Sequence, residues 1–123
     1  MDAFVIGLPP RLSADSIEAL EATLGAAAAS EARVWQLEGS EPGVFCRGMD
    51  LSSVANASDG HDAVHAFARC LRLLMNAPRP TLAIIEGEAL GGGAGIAAAC
   101  DLTVATTEAT IGLPETLFGI LPA

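Results

Sequence analysis

At 123 residues, 51% hydrophobic and 17% charged, the chain can form one compact domain and is too apolar for a disordered tail or linker. Six basic residues, all Arg, stand against fifteen acidic ones, and the net charge of −9 leaves no basic face for a nucleic-acid backbone. No apolar run approaches the ~20 residues that span a bilayer, and MDAFVIGLPPRL lacks the basic and long apolar regions of a signal peptide, so a cytoplasmic chain with no membrane partner is expected.

The core is expected to be thin. Aromatics make up 4% with no Tyr, and small residues bury little area each. Phe4–Leu8 reads as a strand stopped by Pro9 and Pro10. Asp15 and Glu18 have capping-box spacing, and Ile17, Leu20 and Leu24 recur at helical intervals, which predicts a helix over about 15–30. Arg33–Glu38 and Val44–Cys46 are strand candidates on either side of a Gly/Pro turn. Residues 52–60 are small and polar and read as a loop. The next helix, Ala63–Met75, places Val64, Phe67, Ala68, Leu71, Leu74 and Met75 on one face before Pro78. Thr81–Ile85 and Leu102–Ala105 read as short buried strands, with a compact helix near Ile96–Cys100 between them. In GLPETL, Pro114 ahead of Glu115 suits the first turn of a further helix. Strands alternating with helices predict an α/β layer architecture, with no sequence repeat and no linker.

Cys46, Cys70 and Cys100 are odd in number, widely spaced and set among apolar neighbours, so they are expected as free, packed thiols. His61 and His65 lie one helical turn apart, as metal ligands can, but no third His accompanies them and a solvated face is expected rather than a metal site.

The glycine run Leu90-Gly91-Gly92-Gly93-Ala94-Gly95 is the main chemical candidate. Apolar segments flank it on both sides, unlike a flexible linker. Gly93–Ala98 also spells G-x-G-x-x-A, but Glu86-Gly87-Glu88-Ala89-Leu90 intervenes after the preceding strand, whereas a dinucleotide fingerprint follows its strand directly. A third reading uses the absent side chains. Glycines let backbone N–H groups face a ligand, and a helix starting there adds its dipole, forming one arm of an oxyanion hole. The second arm would come from Phe45-Cys46-Arg47-Gly48-Met49-Asp50-Leu51, a strand end breaking at glycine.

Three blocks, FCRGMDL, PTLAIIEGEALGGGAGIAAACD and IGLPETLFGILP, resemble in order and spacing those of the crotonase superfamily, the enoyl-CoA hydratases and isomerases. The resemblance covers Phe45 to Pro122 and implies a crotonase-like α/β spiral of ββα units. It implies that the backbone N–H groups of Met49 and Gly92 polarise a thioester carbonyl, with Glu115 as general acid/base and Arg47, Met49, Asp50, Leu51 and Gly92 around the substrate. Acyl-CoA or acyl-carrier-protein thioesters are the implied partners, with CoA or phosphopantetheine entering as part of the substrate and no separate cofactor or metal. Hydratases of the family carry a second glutamate where this chain has Gly95, which brings single-acid isomerases, dehydratases and decarboxylases forward. FCRGMDL and the LPETLFGILPA ending look like members that dehydrate a carrier-bound group in polyketide β-branching. Family members continue into covering and trimer-forming helices, so residues 1–123 are expected to be a partial domain. The alternative is a catalytically incomplete interaction module.

Overall fold

The computed structural model describes residues 2–52 and 57–115, without the side chains of 57–59. Strand β1, Ala3–Leu8, leads through Pro9 and Pro10 to helix α1, Ala14–Ala29. The capping box is Ser13 with Ser16 rather than Asp15 with Glu18. The Ser16 N–H donates to Ser13 Oγ at 3.1 Å and the Ser13 N–H to Ser16 Oγ at 2.8 Å. The helix starts earlier than its apolar periodicity suggests because two serines saturate its first free donors. Ile17, Leu20, Leu24 and Ala27 form its buried stripe.

Strands β2 (Val34–Gly39) and β3 (Val44–Cys46) precede helix α2 (Ala57–Met75), and β4 (Thr81–Ile85) and β5 (Glu88–Leu90) precede α3 (Gly92–Ala99). Strands β6 (Leu102–Ala105) and β7 (Thr110–Gly112) begin a third such unit. The first strand of each pair joins the parallel sheet β1-β2-β4-β6 and the second joins the parallel sheet β3-β5-β7. A strand–strand–helix unit therefore recurs in space although no repeat is visible in the residues.

Four sequence readings are corrected. Helix α2 begins at Ala57, inside the predicted polar loop, because an exposed helix end needs no apolar period. Its buried stripe is Ala63, Phe67, Cys70 and Leu74, while Val64 and Met75 face solvent. Strands β5 and β7 were both unpredicted, being only three residues long and interrupted by glycine or polar neighbours. Strand β6 forms as predicted but is exposed at all four residues rather than buried. Beyond Glu115, the predicted helix lies outside the described residues.

Core packing joins both helices to the larger sheet through Ile6, Leu8, Leu24, Trp35, Leu37, Phe67, Ala83 and Ile85. The start of β4 is clamped to the turn after α3. Asp101 Oδ2 accepts from the Thr81 N–H at 2.8 Å and from Thr81 Oγ at 3.2 Å, and the Asp101 N–H donates to Thr81 Oγ1 at 2.9 Å. This satisfies the buried Thr81 hydroxyl and fixes where α3 leaves the sheet. Helix α3 lies so close to β3 that a Cβ on Gly93 would overlap the Cys46 carbonyl.

Two predictions follow from this packing. Gly93→Ala drives a methyl into backbone and is expected to cost about 2 kcal/mol or more; an unchanged urea midpoint would contradict the close approach. Cys46, Cys70 and Cys100 are free thiols, and burial pushes Cys100 from 9.0 to about 11 despite its bond with Thr81. A raised pKa keeps the proton on sulfur, so alkylation of Cys100 at pH 8 is expected to run roughly a hundredfold slower than that of a free cysteine. Mass-spectrometric labelling rates check this.

Candidate functional site

The segment after β3 and the start of α3 lie against each other. Residues 47–50 leave β3 braced against the loop after β1. The Arg47 N–H donates to the Pro10 carbonyl, the Leu12 N–H to the Gly48 carbonyl and the Asp50 N–H to the Leu12 carbonyl, each at 2.8 Å. Leu12 thus pairs in parallel with Met49, bonding to the residues on either side of it. In such a pairing the straddled residue turns its own N–H away. The Met49 N–H is therefore not spent on Leu12.

Across from this segment begins α3. Gly48 is buried with φ +89°, and a Cβ there would lie 2.9 Å from the Leu90 carbonyl oxygen and 3.1 Å from the Gly92 nitrogen. Only glycine accepts both that dihedral and that approach. Gly92 is the first residue of α3, where N–H groups have no partner within the helix and the dipole is positive. Leu12 and Phe67 wall it off from the interior: a Cβ on Gly92 would meet their side chains at 2.8 and 3.2 Å.

Glu115 arrives from the opposite side. Strand β7 pairs with β5 so that Leu90 faces Gly112, and the Gly91 N–H donates to the Gly112 carbonyl at 2.9 Å. One tight turn later the Glu115 carboxylate lies against Gly91, its Oε1 3.1 Å from where a Cβ would be. That oxygen is buried and has no hydrogen-bond partner among the described residues. Leaving a buried acceptor unpaired costs on the order of 1–3 kcal/mol, an arrangement that calls for a functional explanation.

The other expected contacts sit at the rim. Arg47 is exposed and pairs with Glu88 on β5, both Nε and Nη2 lying 2.9 Å from Oε1. Asp50 Oδ1 accepts from the Ser52 N–H at 3.2 Å and its hydroxyl at 2.7 Å, and Leu51 is exposed. The structure thus gathers Met49, Gly92 and Glu115 near the start of α3 and leaves Arg47, Asp50 and Leu51 outside. Leu12 and Phe67 were not singled out as site residues. Their signal in the sequence is only that of ordinary core positions.

His61 and His65 are exposed on α2 with ring centroids 4.3 Å apart, and no group of three metal-ligating side chains occurs among the described residues. A cavity of about 480 Å³ between α1 and α2, lined by Glu21, Trp35, Arg69 and Arg72 among others, shares no residue with the glycine site. No described helix is long and apolar enough to cross a membrane.

Comparison with known proteins gives this geometry a context. The human mitochondrial enoyl-CoA hydratase domain-containing protein 2 is 44% identical over 75% of this chain and 32% of its own length. Human mitochondrial methylglutaconyl-CoA hydratase is 44% identical over 66% of this chain and 24% of its own. Among solved structures, enoyl-CoA hydratase from Bacillus anthracis superposes with a TM-score of 0.90 at 32% identity, covering 98% of this chain and 50% of that one. The chain thus spans about a third of the first-named curated relative and half of this solved structure. Residues 8–123 match the enoyl-CoA hydratase/isomerase family, and by this match and the shared fold the chain belongs to that family, within the crotonase superfamily.

Proposed function

We propose that the start of α3 is an oxyanion site for acyl thioesters, carried on CoA or on a carrier protein, with Glu115 as the single acid/base. The observation that carries this reading is the buried, unpartnered Glu115 oxygen beside Gly91, next to the first free N–H of α3. Among the described residues Oε1 has no hydrogen-bond partner, yet it lies within one residue of a ready-made anion donor.

In this reading the thioester carbonyl oxygen accepts from the Met49 and Gly92 N–H groups. Glu115 takes the α-proton, and the C–H electron pair moves onto the carbonyl oxygen as an enolate. The two N–H groups and the helix dipole stabilise the developing charge, each such donor being worth about 10²–10³ in rate. The protonated Glu115 then returns its proton: to the γ-carbon of a 3-enoyl thioester, which moves the double bond, or to a departing β-hydroxyl, which leaves as water. The reverse of the second path is hydration. Because both donors are backbone groups, the Met49 side chain is free to vary.

Gly95 favours the first outcome, isomerisation, over the reversible loss or gain of water. It lies one turn beyond Gly91 on α3, where a Cβ would meet nothing within 4 Å. Adding or expelling water benefits from a second carboxylate at the water, and glycine offers none. Dehydration of a carrier-bound polyketide intermediate is a narrower form of the same reading. The ending that suggests it lies mainly in residues 116–123, outside the described structure.

Glu115→Gln is expected to lower isomerisation or elimination by about 10²–10⁴-fold while thioester binding, read by calorimetry, persists. Met49→Ala should leave turnover within a few fold. Undiminished turnover in Glu115→Gln removes that residue from the mechanism. Gly95→Glu, for which there is room, is expected to raise hydration relative to isomerisation in a product-ratio assay; an unmoved ratio argues that position 95 does not face the reacting carbons.

A further inference from the structure

The cavity between α1 and α2 lies apart from the glycine site and has a chemistry of its own. Its volume of about 480 Å³ falls within the range of small-molecule sites, about 300–1,000 Å³. Trp35, from β2, supplies a wall that is almost wholly buried, and Leu73 and Pro78 add apolar surface beside the end of α2. Trp35 Nε1 is buried with no hydrogen-bond partner among the described residues, and the other side-chain atom in that position is Glu115 Oε1. Buried polar atoms without partners are rare in folded proteins, and each calls for an explanation.

Charge decides what suits this wall. Two guanidinium groups border it, and they differ. Arg69 is already engaged: its Nε and Nη2 lie 2.8 and 3.2 Å from Oε2 and Oε1 of Glu21, which also offsets the acidic side chain of the lining. Arg72 has no ion pair among the described residues, although the chain contains fifteen acidic side chains. Asn76 Nδ2, also in the lining, donates to the Arg72 carbonyl at 2.9 Å and steadies the backbone that carries this free cation. A planar, permanently charged fork beside an aromatic and aliphatic wall fits a carboxylate on an apolar body: the fork takes two oxygens at once and the body covers the wall. Inorganic phosphate would satisfy Arg72 alone, and an uncharged hydrocarbon the wall alone.

We propose that this cavity binds a medium-chain aliphatic carboxylate, with its carboxylate on Arg72 and its chain against Trp35, Leu73 and Pro78. The cavity shares no residue with the oxyanion site, so this binding is independent of the thioester reading.

Trp35 is the only tryptophan of the chain, so a brominated acid reports contact with the wall directly, because bromine quenches indole fluorescence at contact. In the full chain, 6-bromohexanoate is expected to quench Trp35 saturably, and octanoate to compete and restore the emission. Arg72→Gln is expected to weaken both by about tenfold or more, the worth of a hydrogen bond to a charged group. Leu73→Asp, which sets a negative charge in the wall, is expected to abolish the saturable quenching, and Arg33→Gln, outside the lining, to leave it unchanged. Quenching that does not saturate overturns the proposal, as does an unaltered midpoint in Arg72→Gln. Equal potency of 6-bromohexanol, which lacks the charge, also overturns it. So does competition by inorganic phosphate as strong as that by octanoate, since that result identifies a site for the ion alone.

Discussion

The site rests on a contact between two stretches of backbone that no side chain could share. Where Gly48 faces the start of α3, a Cβ would lie 3.1 Å from the Gly92 nitrogen, and where Gly93 faces β3 it would overlap the Cys46 carbonyl. These approaches press the two strand–strand–helix units together at one point. They leave the first N–H of α3 open to whatever enters, because N–H groups in a first helical turn have no carbonyl behind them. Leu12 and Phe67 fill the side on which a Gly92 side chain would stand. Bulk at these glycines would move the donors apart before any chemistry was affected.

Electrostatics reinforces the arrangement locally although the chain as a whole is acidic. With −9 overall, an anionic ligand is repelled at long range. At short range the balance changes. The α3 dipole presents partial positive charge at Gly92; the helix's own first turn contains no acidic residue, and the carboxylate that faces it is that of Glu115. Glu88, the acidic side chain on β5 nearest the rim, is held by Arg47. That exposed pair contributes little to stability, but it offsets the Glu88 charge at the rim.

How much of this could be read from the residues depends on what signal each element leaves. Helix α1 and strands β1, β2 and β4 announce themselves through period and β-branched content, and they form within a residue or two of expectation. Strands β5 and β7 do not, since three residues cannot display a period and their pairing is wholly non-local. The glycine run is conspicuous as composition, but its meaning depends on Gly48, more than forty positions away, which folding brings to Gly92. Glu115 is the clearest case. Its spacing alone fits a helix-capping acid as well as a catalytic one. Only the fold shows its Oε1 buried against Gly91 with no partner among the described residues.

Precision at the site is a mechanical problem. Glu115 follows β7 by three residues, and its place beside Gly91 is set by the pairing of β7 with β5 and by the bond from the Gly91 N–H to Gly112. Strand β7 has three residues, one partner among the described strands and an exposed Ile111, so it belongs to the least protected part of the fold. A catalytic carboxylate must be held to about half an ångström to be effective, and a three-residue strand paired on one side is a weak means of doing so. The backbone donors are fixed instead by buried glycine contacts near the core. The Glu115 carboxylate, three residues past β7, has no comparable glycine contact behind it and depends on the β5–β7 pairing for its position.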